Sequence, residues 1–115
     1  MSYIFDFSLF NQPIGNWDVS NVTTMERMFQ QSSFNQDISS WDVSNVTNMS
    51  SMFRLTPFNQ DLNSWDVSNV TNMREMFTSA EDFNGDISGW DVSSVTSMHN
   101  MFSSANAFNS EVSGW

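Results

Sequence analysis

Four aspartates, Asp18, Asp42, Asp66 and Asp91, recur at spacings of 24, 24 and 25 residues. A serine follows each one two positions later: Ser20, Ser44, Ser68 and Ser93. Any fold that lays one period over the next turns them into a column of carboxylates. Like charges about 5 Å apart repel by about 1 kcal/mol per pair even in water, so something must offset the column. The plainest answer is hydrogen bonding to the neighbouring serines or turn amides. The sharper answers are a divalent cation such as calcium or a basic ligand, although calcium seeks several oxygens at once and a one-sided column supplies few. A second acidic column runs Asp37, Asp61, Asp86 and Glu111, with Pro13 in its first place. The segment from Asp82 to Asp86 has only a faint likeness to a calcium loop, since its glycine is misplaced. Asn21, Asn45 and Asn69 in N-V-T, and Asn48 in N-M-S, are glycosylation sequons that matter only in a secreted eukaryotic protein.

Other chemistry is scarce. His99 is the only histidine, cysteine and lysine are absent, and three arginines stand against thirteen acidic residues. His99 occupies a variable position, filled by Glu26, Ser50 and Arg74 in the other periods, and no nucleophile–base pair can be assembled around it. The expectation is a non-enzymatic protein with no metal site or resident cofactor. A net charge of −10 repels nucleic acid and anionic membrane surfaces and favours cationic partners. The opening MSYIFDFSLF lacks the basic start and cleavage site of a secretion signal, and no stretch approaches the length of a membrane span.

The elements that position these residues come from repetition. WDVSNVTxMxxMF starts at Trp17, Trp41 and Trp65, returns at Trp90 with Ser94 for asparagine, and begins again at Trp115. A period of this size signals stacked units that bury their apolar faces on one another. The units are a partial turn 1–16, repeats 17–40, 41–64, 65–89 and 90–114, and a truncated turn from Trp115, all in a single domain 1–115. Trp41 and Val43 alternate with Asp42 and Ser44, the period of a strand. Val46, Met49, Met52 and Phe53 follow at helical spacing, with Thr47 as a candidate N-cap and Thr23–Glu26 as a capping box. The only spacing that varies is Phe29–Phe34 and Phe53–Phe58, five apart, against Phe77–Phe83 and Phe102–Phe108, six apart. That places the extra residue in an exposed loop. The expected fold is an α/β repeat, a solenoid with one short parallel strand and one short helix per turn. The asparagine column from Asn11 to Asn109 should satisfy backbone groups in buried turns.

The spacing I-x-x-W-x-V-x-x-V resembles a leucine-rich repeat. More closely, WDVSNVTxMxxMFxxxxxFN is similar to the repeat of the BspA-like leucine-rich-repeat surface proteins. That resemblance implies a right-handed leucine-rich-repeat-like solenoid in an extracellular or cell-surface protein engaged in adhesion, and it supplies no ligand. Two functions follow as expectations. The first is binding or adhesion of a protein or polysaccharide through the acidic face of Asp18, Ser20, Asp42, Ser44, Asp66, Ser68, Asp91 and Ser93. The second is head-to-tail self-assembly through the ends of the stack, at Ile4, Phe5, Phe10 and Trp17 on one side and Trp90, Phe108 and Trp115 on the other. Direct membrane insertion is not expected.

Overall fold

The Met-x-x-Met-Phe segments fold as chains of overlapping turns. In the computed structural model, which describes all residues from Met1 to Trp115, the amides of Met28, Gln30 and Ser32 donate to the carbonyls of Met25, Arg27 and Phe29 at 3.1–3.3 Å. The intervening amides of Met25, Arg27, Phe29 and Gln31 donate instead to Asn48, Ser50, Met52 and Arg54 on the next coil, at 2.8–3.0 Å. Three of these seven donors close turns and four tie coil to coil. Arg27 and Gln31 lie in the left-handed region, as do Tyr3, Phe7, Ser51, Leu55, Glu75, Ser79, Asn100 and Ser104, with φ between 52° and 63°. None of these ten is glycine.

The expected solenoid with a helix and a strand in every turn does not form. Of the 46 backbone hydrogen bonds, none lies in a helix or strand. The only β pairing is a row of isolated parallel bridges, Thr24 to Asn48 to Asn72 to Ser97. The physical reason is visible in the left-handed residues, which interrupt every segment four residues apart. A helix would consume all its amides internally, whereas this segment turns alternate amides along the stack. Thr47 consequently caps no helix; its hydroxyl donates to the Thr23 carbonyl of the preceding coil, as Thr71 does to Thr47 and Thr96 to Thr71. The Thr23–Glu26 capping box is likewise absent, and the Glu26 amide donates to the Thr24 hydroxyl.

The core is a ladder of aromatic rings. Phe5, Phe29, Phe53, Phe77 and Phe102 stack at 5.5–5.7 Å between centroids. Phe10, Phe34, Phe58, Phe83 and Phe108 form a second column at 5.9–6.2 Å. Within each coil the two rings lie nearly parallel with their centroids 3.8–4.2 Å apart. Trp41, Trp65 and Trp90 are buried beside them, and each indole donates to a carbonyl one coil back, at Ile14, Ile38 and Leu62. Val19, Val43, Val67 and the methionines from Met25 to Met76 complete the interior. Indole, ring and thioether thus anchor each coil to the last, in a body 34 × 32 × 20 Å.

The asparagine column does satisfy backbone groups, but at the surface. The side-chain oxygens of Asn11, Asn35, Asn59 and Asn84 accept from the amide of the matching asparagine on the next coil at 2.8–2.9 Å. Coils approach closely here: a Cβ on Gly85 would sit 2.3 Å from the Gln60 carbonyl oxygen, so glycine is required there.

Candidate functional site

The Trp-Asp-Val-Ser segments lie between two turns, such as Ile14–Trp17 and Val19–Val22. The tryptophan and valine of each segment point inward and the aspartate points out. Trp17 differs, being 37% exposed on the first coil. Inside each segment the serine closes on the aspartate. The Ser20 amide and hydroxyl both donate to Asp18 Oδ1, at 3.0 and 2.6 Å. Ser44 does the same to Asp42 and Ser68 to Asp66, and the Ser93 amide reaches Asp91 at 3.0 Å. Asn45 and Asn69 add rungs by donating to the Ser20 and Ser44 carbonyls. The face expected from the sequence is therefore assembled as a single outward row, although no strand carries it.

The electrostatics follow from these bonds. The serine hydroxyl, then the serine amide, hold the carboxyls of Asp18, Asp42 and Asp66 below the ordinary 3.8. Hydrogen bonding from Ser93 does so for Asp91. Neighbours in the row oppose this: Asp18 pushes Asp42 up, and Asp42 and Asp91 push Asp66 up. The row is thus a set of mutually repelling anions, each held charged by its own serine. The second acidic column repeats the device. Ser39 lowers Asp37, Ser88 lowers Asp86 and Ser113 lowers Glu111, while Asp61 accepts from the Asp86 amide. No group of three or more histidine, aspartate or glutamate side chains gathers where it could hold a metal ion, and His99 is exposed on the variable surface.

The residues expected at the ends fall into three kinds. Ile4 and Trp17 are exposed, and Phe5, Phe10, Phe108 and Trp115 are part-buried against the core. Trp90 is covered, stacked on Trp115 at 6.1 Å. Phe7 and Leu9 are the most exposed apolar side chains, at 68% and 91%.

Sequence reasoning passes over the arginines. Arg54 and Arg74 both reach Glu75, at 3.5 and 3.3 Å, and the Arg27 guanidinium lies 5.3 Å from the centre of the Tyr3 ring. They occupy different repeat positions and make no column in an alignment of units. A signal is nonetheless present: each falls nine to thirteen residues after its repeat tryptophan, which places all of them on one side of the stack.

No curated protein and no solved structure matches the chain. A family match spans residues 1–115, every coil of the stack. The chain belongs to the family described as Mycoplasma protein of unknown function, DUF285.

Proposed function

We propose that this chain is a non-enzymatic binding module of a BspA-like surface protein, and that it adheres to a cationic protein segment or a polysaccharide through the Asp18–Asp91 row. The observation that supports this is the exposed row itself, in which the same Asp–Ser pair presents one negative charge per coil at a constant register. A repeated ligand can engage several such weak sites at once and gain avidity from them. The location at the cell surface rests on the resemblance of the repeat. The test uses a lysine-rich peptide and two variants of equal charge, Asp42→Asn/Asp66→Asn in the row and Asp37→Asn/Asp86→Asn in the other column. Binding through the row weakens severalfold in the first variant only. Equal loss in both would reduce the effect to net charge and overturn the assignment.

A second reading, end-to-end assembly, draws on Ile4, Phe7 and Leu9, a group of exposed apolar side chains on the first coil. Light scattering over a hundredfold concentration range would show growth, and a constant monomer mass would remove this reading.

A further inference from the structure

Opposite chemistry collects around the turns of the second to fourth coils. A recess of about 260 Å³ opens there, lined by Glu26 and Arg27 on one coil, Ser50 and Ser51 on the next, and Arg74 and Glu75 on the third, with Asn72 at its side and no apolar residue. The recess exists because the middle coil carries two serines where its neighbours carry long charged side chains. The coils on either side are two spacings apart, roughly 9–10 Å at the backbone, so arginines reaching in from both sides can meet over the serine floor.

The charge balance of this recess differs from that of the rest of the molecule. All three cationic side chains of a chain with net charge −10 are Arg27, Arg54 and Arg74. Two of them line the recess, and the third is bound to its Glu75 wall. Three guanidinium groups against two carboxylates leave one positive charge. Neither carboxylate is free to fill the space. Glu75 is held by both Arg54 and Arg74, and Glu26 accepts from the Tyr3 hydroxyl of the preceding coil at 3.4 Å. Arg27 has no carboxylate partner and lies over the Tyr3 ring, a position that leaves the in-plane donors of a guanidinium available. The Ser50 and Ser51 hydroxyls make no hydrogen bond within the protein, although both residues are buried at the recess floor.

We propose that this recess is a subsite for one carboxylate-bearing sugar, with the carboxylate between Arg27 and Arg74 and the ring hydroxyls on Ser50, Ser51 and Asn72. The carboxylate is argued from the surplus guanidinium charge, since arginine pairs with carboxylates through parallel N–H···O bonds. The sugar is argued from the floor, where two free hydroxyls and an amide face a space smaller than a drug-sized pocket. The proposal does not rest on the acidic row, which lies on a different segment of each coil.

Sodium D-glucuronate titrated into the labelled protein, followed by amide shifts, tests it. Saturable shifts centred on residues 26–27, 50–51 and 74–75 are expected. Arg74→Ser and Arg27→Ser should each weaken binding at least about tenfold with an unchanged melting temperature. Ser50→Gln, which fills the notch without altering charge, should weaken it comparably and serves if an arginine variant proves unstable. Equal binding of glucose would overturn the carboxylate. Displacement by equal sodium sulfate would leave an adventitious ion only and overturn the sugar. Tighter binding of a short glutamate peptide would make the partner a protein and overturn the assignment, as would the absence of saturation in the tens of millimolar range.

Discussion

The connection from Phe29 to Phe34 and the connection from Phe77 to Phe83 end in the same geometry by different means. Both bring their rings to 4.0 Å. The shorter one places Ser32 three residues after the first phenylalanine, and its hydroxyl donates to the Phe29 carbonyl and accepts from the Phe34 amide. Thr56 does the same between Phe53 and Phe58. The longer connection has Ala80 at that place, and the extra residue lets the Phe83 amide reach the Ala80 carbonyl directly at 3.1 Å. Ala105 and Phe108 repeat this. A hydroxyl therefore stands in for one residue of backbone. Loop length and the identity of one side chain are coupled, because the buried amide of the second phenylalanine must be satisfied either way.

The largest effect that could break this equivalence lies in the ladder the two connections share. Trp41 opens a coil with the short connection and Trp65 one with the long connection, and both are almost fully buried. Trp41→Ala and Trp65→Ala should each cost about 3–5 kcal/mol in chemical denaturation. A difference well beyond the error of the fits would mean that the two kinds of coil are not equally packed.

Next comes the hydroxyl. Thr56→Ala leaves the Phe58 amide without its partner and should cost about 1–3 kcal/mol. Ser32→Ala should behave alike at Phe34. Ala80→Ser adds a hydroxyl where the amide is already bonded, and its melting curve should move little. A tolerated Thr56→Ala would show that the amide finds another acceptor.

A smaller effect concerns the left-handed residues common to both kinds of coil. Gln31 has φ of 52° and is exposed. Gln31→Gly should be more stable than Gln31→Ala by about 1 kcal/mol. The reverse order would argue against the left-handed conformation and so against the turn chain itself.

The smallest is electrostatic. The folded carboxyls of Asp18, Asp42, Asp66 and Asp91 are depressed below 3.8 by their serines. Their contribution is present above the unfolded value and is lost as pH falls through the lower folded values. Ser44→Ala and Ser68→Ala should remove part of that loss and flatten the acid limb below about pH 4, leaving stability at pH 7 slightly reduced. An unchanged acid limb would show that the hydrogen bonds do not hold the charge.

The sequence exposes the stacking and the sidedness of each unit but not its backbone. Trp41 and Val43 inward, Asp42 and Ser44 outward, is an alternation that an extended segment between turns satisfies as well as a strand. Met49, Met52 and Phe53 at three- and four-residue spacing are buried by consecutive turns as well as by a helix, because each turn also advances the chain three residues per reversal. Periodicity reports which residues face inward and is blind to where the amides donate. Neither glycine nor asparagine stood at Arg27 or Gln31 to signal a left-handed conformation. The acidic row was legible because it repeats, and the arginine recess was not, because it is made from residues that do not.

The direction of the inter-coil bonds has an electrical consequence. The Tyr3 amide donates to the Glu26 carbonyl, and the amide of the same peptide group, on Arg27, donates to Ser50. Ser51 then donates to Arg74, and Glu75 to His99. Parallel columns run through residues 28, 52, 76 and 101, through 30, 54, 78 and 103, and through 48, 72 and 97. Peptide units aligned head to tail in this way add their dipoles as they do in a helix and polarise one another along each chain of bonds, whereas the strands of an ordinary sheet largely cancel. These four columns share one sense and are opposed by the column in which Thr47 donates to Thr23, Thr71 to Thr47 and Thr96 to Thr71, so the stack behaves as a bundle of peptide wires with a net sense. Its axis lies across the chain rather than along it, carbonyl-negative toward the first coil and amide-positive toward the last, and its moment increases with every coil added.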